Sequence, residues 1–102
     1  MLGRDEMTSL DQVLAREVAI WRSEPYSRFK DLNEGLHSYS IQEEDTEYGI
    51  EIHTKKSDRT PEIIVMCEVS KRAILGTSVG KARYFAVSPN GVMRDATPDE
   101  AF

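Results

Sequence analysis

The chain has 102 residues, of which 39% are hydrophobic and 30% charged, with a net charge of −5. That length sets one domain, and the composition excludes a disordered or collagen-like chain. The acidic balance argues against nucleic acid as a partner, since phosphate contacts need a basic surface, and no apolar run approaches the roughly 20 residues that cross a bilayer as a helix.

Charge is segregated along the chain. Residues 1–52 hold 12 acids and 5 Lys or Arg, whereas residues 53–83 hold 3 acids and 7 Lys or Arg. The simplest reading is that neighbouring elements neutralise each other; a basic patch for an acidic partner is the sharper one. The single cysteine, Cys67, excludes an intrachain disulfide. Together with the absence of an apolar stretch in Met1–Glu6, this gives the expectation of a reducing, cytoplasmic setting.

Residues 1–8 read as a flexible start. Ser9 with Gln12 makes a capping-box pattern. Leu10, Val13, Leu14, Val18 and Trp21 then recur at helical spacing, with Ala15, Ala19 and Ile20 widening the stripe. Asp11, Gln12, Arg16, Glu17 and Arg22 fill the remaining side. A helix over 9–23 is expected, ended by Pro25, which disfavours α conformation at Glu24. Tyr26 to Glu34 reads as a short second helix that drops Tyr26, Phe29 and Leu32 onto the core, with Gly35 as its stop.

After Gly35 the period changes to two. His37, Tyr39 and Ile41 share one face of a strand; Tyr48, Ile50, Ile52 and Thr54 alternate in the next, opposite Glu51 and His53. The acidic segment 42–47 between them predicts a hairpin loop, and Lys55–Thr60 a second, basic turn. Pro61–Val69 is the longest apolar run and predicts the central strand. Its faces differ. Ile63, Val65, Cys67 and Val69 form one, wholly apolar; Glu62, Ile64, Met66 and Glu68 form the other.

Residues 70–81 fit either a short strand at Arg72–Leu75 or a long loop, with Gly76 and Gly80 as bend residues. Ala82–Val87 predicts a further strand, and Ser88-Pro89-Asn90-Gly91 a tight turn leading to a short edge strand at Val92–Met93. Thr97-Pro98-Asp99-Glu100 carries the signature of a helix start, so residues 97–102 predict a helical turn that plants Phe102 on the body, or the start of a truncated helix. The whole reads as an α+β domain over 9–96: an N-terminal amphipathic helix and a short helical turn packed on an antiparallel meander of four to six strands.

Candidate chemistry is sparse. Gly76–Ala82 resembles a phosphate-binding loop, but it has three residues between the glycines where that motif has four, and Ala82 where it has Ser or Thr. His37 and His53 would make a metal pair only if their faces coincided, with Glu51 as a third ligand. Glu43, Glu44, Asp45 and Glu47 lack the spacing and glycine of a calcium loop and read as a solvated hairpin tip facing Lys71, Arg72 and Lys81. Cys67 among valines reads as core rather than as a nucleophile. No catalytic residues, no metal and no cofactor are assigned.

Three functional readings follow. The first is a protein–protein interaction module, a homodimer or a partner of another protein, using the second sheet face at Ile64, Met66 and one of Tyr84 or Phe85, since adjacent strand residues face opposite ways. The second is a small-ligand site or enzyme between sheet and helix, built from His37, Tyr39, His53 and Arg83. The third is nucleic-acid contact through Lys55, Lys56, Arg59, Lys71, Arg72, Lys81 and Arg83, disfavoured because the two basic turns fall at opposite ends of a meander.

Overall fold

A computed structural model describes residues 2–32, 35–43, 46–72 and 78–101, with side chains from residue 9 onward and not those of 72, 78 and 101. The elements run α1 (Leu2–Arg22), α2 (Tyr26–Leu32), β1 (Leu36–Glu43), β2 (Thr46–Lys56), β3 (Ile63–Arg72), β4 (Ser78–Val87), β5 (Met93–Asp95) and α3 (Pro98–Ala101). The strands form one antiparallel sheet in the order β1-β2-β3-β4-β5, the expected meander.

The helix α1 begins seven residues before the capping pattern at Ser9 predicts. Nothing between Leu2 and Thr8 interrupts a helix except Gly3, and extending a nucleated helix costs far less than starting one. Its end is where Pro25 predicts: the Ser23 and Glu24 amides donate to the carbonyls of Ile20 and Trp21, three residues back, and the Ser23 hydroxyl also donates to Ile20 (2.6 Å). The predicted stripe is the buried one. Leu10, Val13, Leu14, Val18 and Trp21 pack with Ile50, Ile52, Ile63, Val65, Cys67, Val69, Phe85 and Val87, and α1 lies over β3 and β4. Each such aliphatic side chain contributes about 1.5–3 kcal/mol on burial.

The strands are longer than the alternation predicts. Pairing continues to Glu43↔Thr46, so only Glu44 and Asp45 separate β1 from β2. Gln42 and Glu47 face each other in that extension, because a polar side chain on an open face does not stop a strand. Residues 70–72 and 78–80 likewise pair as extensions of β3 and β4. The predicted strand Arg72–Leu75 and the bend at Gly76 fall mainly on residues 73–77, outside the described residues, as does Phe102. Gly80 and Lys81 lie inside β4, in a strand rather than a phosphate loop.

At the β4–β5 connection the Gly91 amide donates to Ser88 (2.8 Å) with Gly91 at φ 86°, a conformation that favours glycine. The Asn90 side-chain oxygen receives the Ser88 hydroxyl and the Val92 amide. After β5, the Ala96 amide donates to Tyr84 and the chain turns into α3. There the Glu100 carboxylate accepts the Thr97 amide (2.8 Å), the return bond of a capping box, at the helix start its sequence predicts.

Candidate interaction surface

The register sorts every strand residue onto a face. The α1 side carries His37, Tyr39 and Ile41; Tyr48, Ile50, Ile52 and Thr54; Ile63, Val65, Cys67 and Val69; Arg83, Phe85 and Val87. The far side carries residues of the other parity, aligned in rows across the strands. One row is Lys55, Ile64, Ala86 and Arg94. The next is Leu36, His53, Met66 and Tyr84, then Ser38, Glu51, Glu68 and Ala82, and last Ser40, Gly49, Ser70 and Gly80.

The first of these rows is covered. The turn α3 packs against β3 on this side. It is held there by Arg94, whose guanidinium donates twice to Glu62 (2.9 and 3.0 Å) and once to Glu100 (2.7 Å). The Arg94 bond and the Thr97 amide together hold the Glu100 carboxyl well below its usual range, to about 2. Ile64 and Ala86, in the covered row, are 2% and 0% exposed. Ile64 therefore drops out of the expected surface. So does Phe85, which faces α1, fully buried, edge-on to Phe29 at 5.8 Å. Of the four residues expected there, Met66 and Tyr84 remain, half-buried and side by side in the second row.

Sequence reasoning missed Leu36, which extends that row to the edge of the sheet and is 58% exposed. Its parity, opposite to His37 and Tyr39, is legible in the alternation; its pairing with His53 is set only by the register. Beside the row, His53 Nε2 lies 3.1 Å from Glu51 on the same strand face.

The four residues of the ligand reading do not converge. His37 and Tyr39 lie on the α1 side with rings 5.6 Å apart, His53 is on the far side, and Arg83 is exposed on β4 opposite Cys67. The two histidines thus sit on opposite faces. His37 and Tyr39 pack against Trp21, at 5.7 and 6.5 Å between ring centroids.

A polar chain runs through this packing. The Trp21 indole N–H donates to the Tyr39 hydroxyl (2.9 Å), which donates to Glu17 Oε1 (2.7 Å). Glu17 is 5% exposed, with Arg16 Nε 3.6 Å from its other oxygen. It belongs to the buried stripe, not to the solvated side its charge suggests, because it falls seven residues after Leu10 and three after Leu14. Burial, then the bond to Glu17, push the Tyr39 hydroxyl above the ordinary tyrosine range. Burial likewise pushes the Cys67 thiol up to about 12, the behaviour of a core cysteine.

One ion pair joins the acidic half of the chain to the basic segment, with Lys81 donating to Asp11 (2.7 Å). Arg22 donates to Asp95 (2.8 Å), and Arg16 to Glu43 within the acidic half. Glu43 pairs with the helix and lines one cleft with Lys71. The basic groups also fall into separate places: Lys56 pairs Ile63 at one end of β3 while Lys71 lies at the other, about 26 Å away at the usual rise per strand residue. An open cleft of about 440 Å³ at the first end is lined by Lys55, Lys56 and Arg59 but also by Asp58, Asp99 and Glu100.

Among the described residues, no three of His, Cys, Asp or Glu gather as metal ligands, and no helix is long and apolar enough to cross a membrane. Comparison with known protein families, with curated proteins and with solved structures finds no match.

Proposed function

We propose that this chain is a small protein–protein interaction module that self-associates through the part of its sheet left open by α1 and α3. The observation that carries this reading is the row Leu36, His53, Met66 and Tyr84. It runs across four strands and ends at the edge strand β1 with an exposed leucine. Apolar side chains grouped on an open surface favour burial against a partner. Beyond the next row, which carries Glu51 and Glu68, the row of Ser40, Gly49, Ser70 and Gly80 projects little side chain. A reducing, cytoplasmic setting suits a chain whose one thiol is buried and unpaired.

Sedimentation velocity across the micromolar range tests the reading. The expected result is a sedimentation coefficient that rises with concentration. A wild-type chain that stays a single-chain species at every concentration overturns it.

A further inference from the structure

The open region ends at β1, and the edge of β1 has a geometry that names its partner. We infer that two copies of this chain join β1 to β1 in antiparallel register, about a two-fold axis at Ser40, to make one ten-stranded sheet. The inference rests on the self-association reading and specifies where on the open region it occurs.

The backbone argument comes first. The Thr54 amide donates to the carbonyl of its partner Gly35 (3.3 Å), so Gly35↔Thr54 is a hydrogen-bonded pair. In an antiparallel ladder such pairs alternate with non-bonded ones. His37, Tyr39, Ile41 and Glu43 therefore direct their backbone groups to β2, and Leu36, Ser38, Ser40 and Gln42 direct theirs outward, to the unpaired edge. The bonded pair Glu43↔Thr46 closing a two-residue connection agrees with this parity. β1 pairs with β2 at all eight of its residues, without interruption.

Edge strands of soluble proteins are commonly protected by lysines, prolines, bulges or shortness. The other side of this sheet has such protection: β5 covers Phe85–Val87, and the rest of β4 carries Lys81 and Arg83. β1, Leu-His-Ser-Tyr-Ser-Ile-Gln-Glu, has no lysine and no proline. The helix α1 packs mainly on β3 and β4 and reaches β1 by side chains on one face, where Trp21, Glu17 and Arg16 meet His37, Tyr39 and Glu43.

A second copy fits this edge better than an unrelated strand because β1 is complementary to itself. With Ser40 opposite the other copy's Ser40, the bonded pairs are Ser38 with Gln42, Ser40 with Ser40 and Gln42 with Ser38. The non-bonded pairs, where side chains come closest, set Tyr39 against Ile41 and His37 against Glu43, each twice. An aromatic meets a β-branched side chain, which is a favourable cross-strand pair. The one carboxylate of the strand meets its one imidazole, beside the Arg16 that already holds Glu43. Both helices lie on the same side, and on the far face the rows that begin at Ser40 run on from one copy to the other.

Ser40 is also where the inference is tested. Its N–H points outward, so Ser40→Pro removes no bond between β1 and β2, yet blocks the centre of the joint. Its side chain is exposed on the far side, so Ser40→Lys and Ser40→Glu are expected to fold. By sedimentation velocity the wild type is expected to dimerise, Ser40→Pro and Ser40→Lys to be monomeric with the wild-type circular dichroism spectrum, and an equimolar mixture of Ser40→Lys with Ser40→Glu to recover the dimer, because opposite charges then face each other across the axis. Should Ser40→Pro not fold, the charged pair decides alone. Dimers of Ser40→Lys as strong as wild type, with Met66→Glu monomeric, overturn the edge joint and leave self-association through the far face standing. A wild-type monomer overturns both. Weakened Ser40→Lys without recovery in the mixture overturns the register.

Discussion

Tyr39→Phe removes one oxygen and leaves two buried groups without their partner. The hydroxyl accepts from the Trp21 indole and donates to the Glu17 carboxylate, and both of those residues are buried. A neutral hydrogen bond contributes about 0.5–1.5 kcal/mol and one to a charged group about 1.5–3 kcal/mol. Because Tyr39 is only half-buried, water recovers part of this, and the expected loss is about 2–3 kcal/mol. At the usual unfolding entropy per residue, a 102-residue chain then melts about 10–15 °C lower. Urea unfolding followed by the fluorescence of Trp21, the only tryptophan, measures the change directly. The argument makes a second demand: the pair Glu17→Leu with Tyr39→Phe, apolar on both sides, must cost less than Tyr39→Phe alone, because it leaves no buried carboxylate unpaired. A Tyr39→Phe variant within about 0.5 kcal/mol of wild type, the range of an ordinary surface change, would refute the reasoning.

Three further outcomes are expected. The Thr54 hydroxyl is buried and, among the described residues, bonds nothing; Thr54→Val keeps the shape and should stabilise the fold by about 1 kcal/mol or more, read as a higher melting temperature. Cys67, with its thiol raised to about 12 by burial, should resist a thiol reagent at pH 8 and react fully once the chain is unfolded in guanidinium. Acid should release α3: the Glu100 carboxyl, lowered to about 2 by Arg94 and Thr97, stabilises the docked turn above the ordinary glutamate range near pH 4.3. That contribution is lost as pH falls through about 2, so the Ile64 methyl resonances should shift over this window, and shift less in Glu100→Gln, where Glu62 alone holds Arg94.

The fold was legible because its signals are periodic. The stripe Leu10, Val13, Leu14, Val18 and Trp21 and the alternation around Ile63–Val69 each specify one buried face, and both faces are buried as expected. Strand lengths were less legible. Gln42, Glu47, Ser70 and Lys71 look like loop residues, but hydrogen bonding across the sheet continues through them. Glu17 sits on the apolar stripe by spacing but reads as solvated by charge; its partner, the Tyr39 hydroxyl, comes from a strand 22 residues away, which no local pattern reveals. The open surface was half legible. Met66 follows from strand parity, whereas the loss of Ile64 to α3 depends on Glu62, Arg94 and Glu100 meeting from three separate segments. The choice between Tyr84 and Phe85 is fixed only by the β3–β4 register, which sets Phe85 opposite Val65.

The central claim is that the open part of this sheet joins copies of the chain. Sedimentation equilibrium of the wild type from low to high micromolar concentration tests it most directly. The expected result is a mass that climbs from one chain, 11.6 kDa, toward two. A mass that stays at one chain throughout contradicts it.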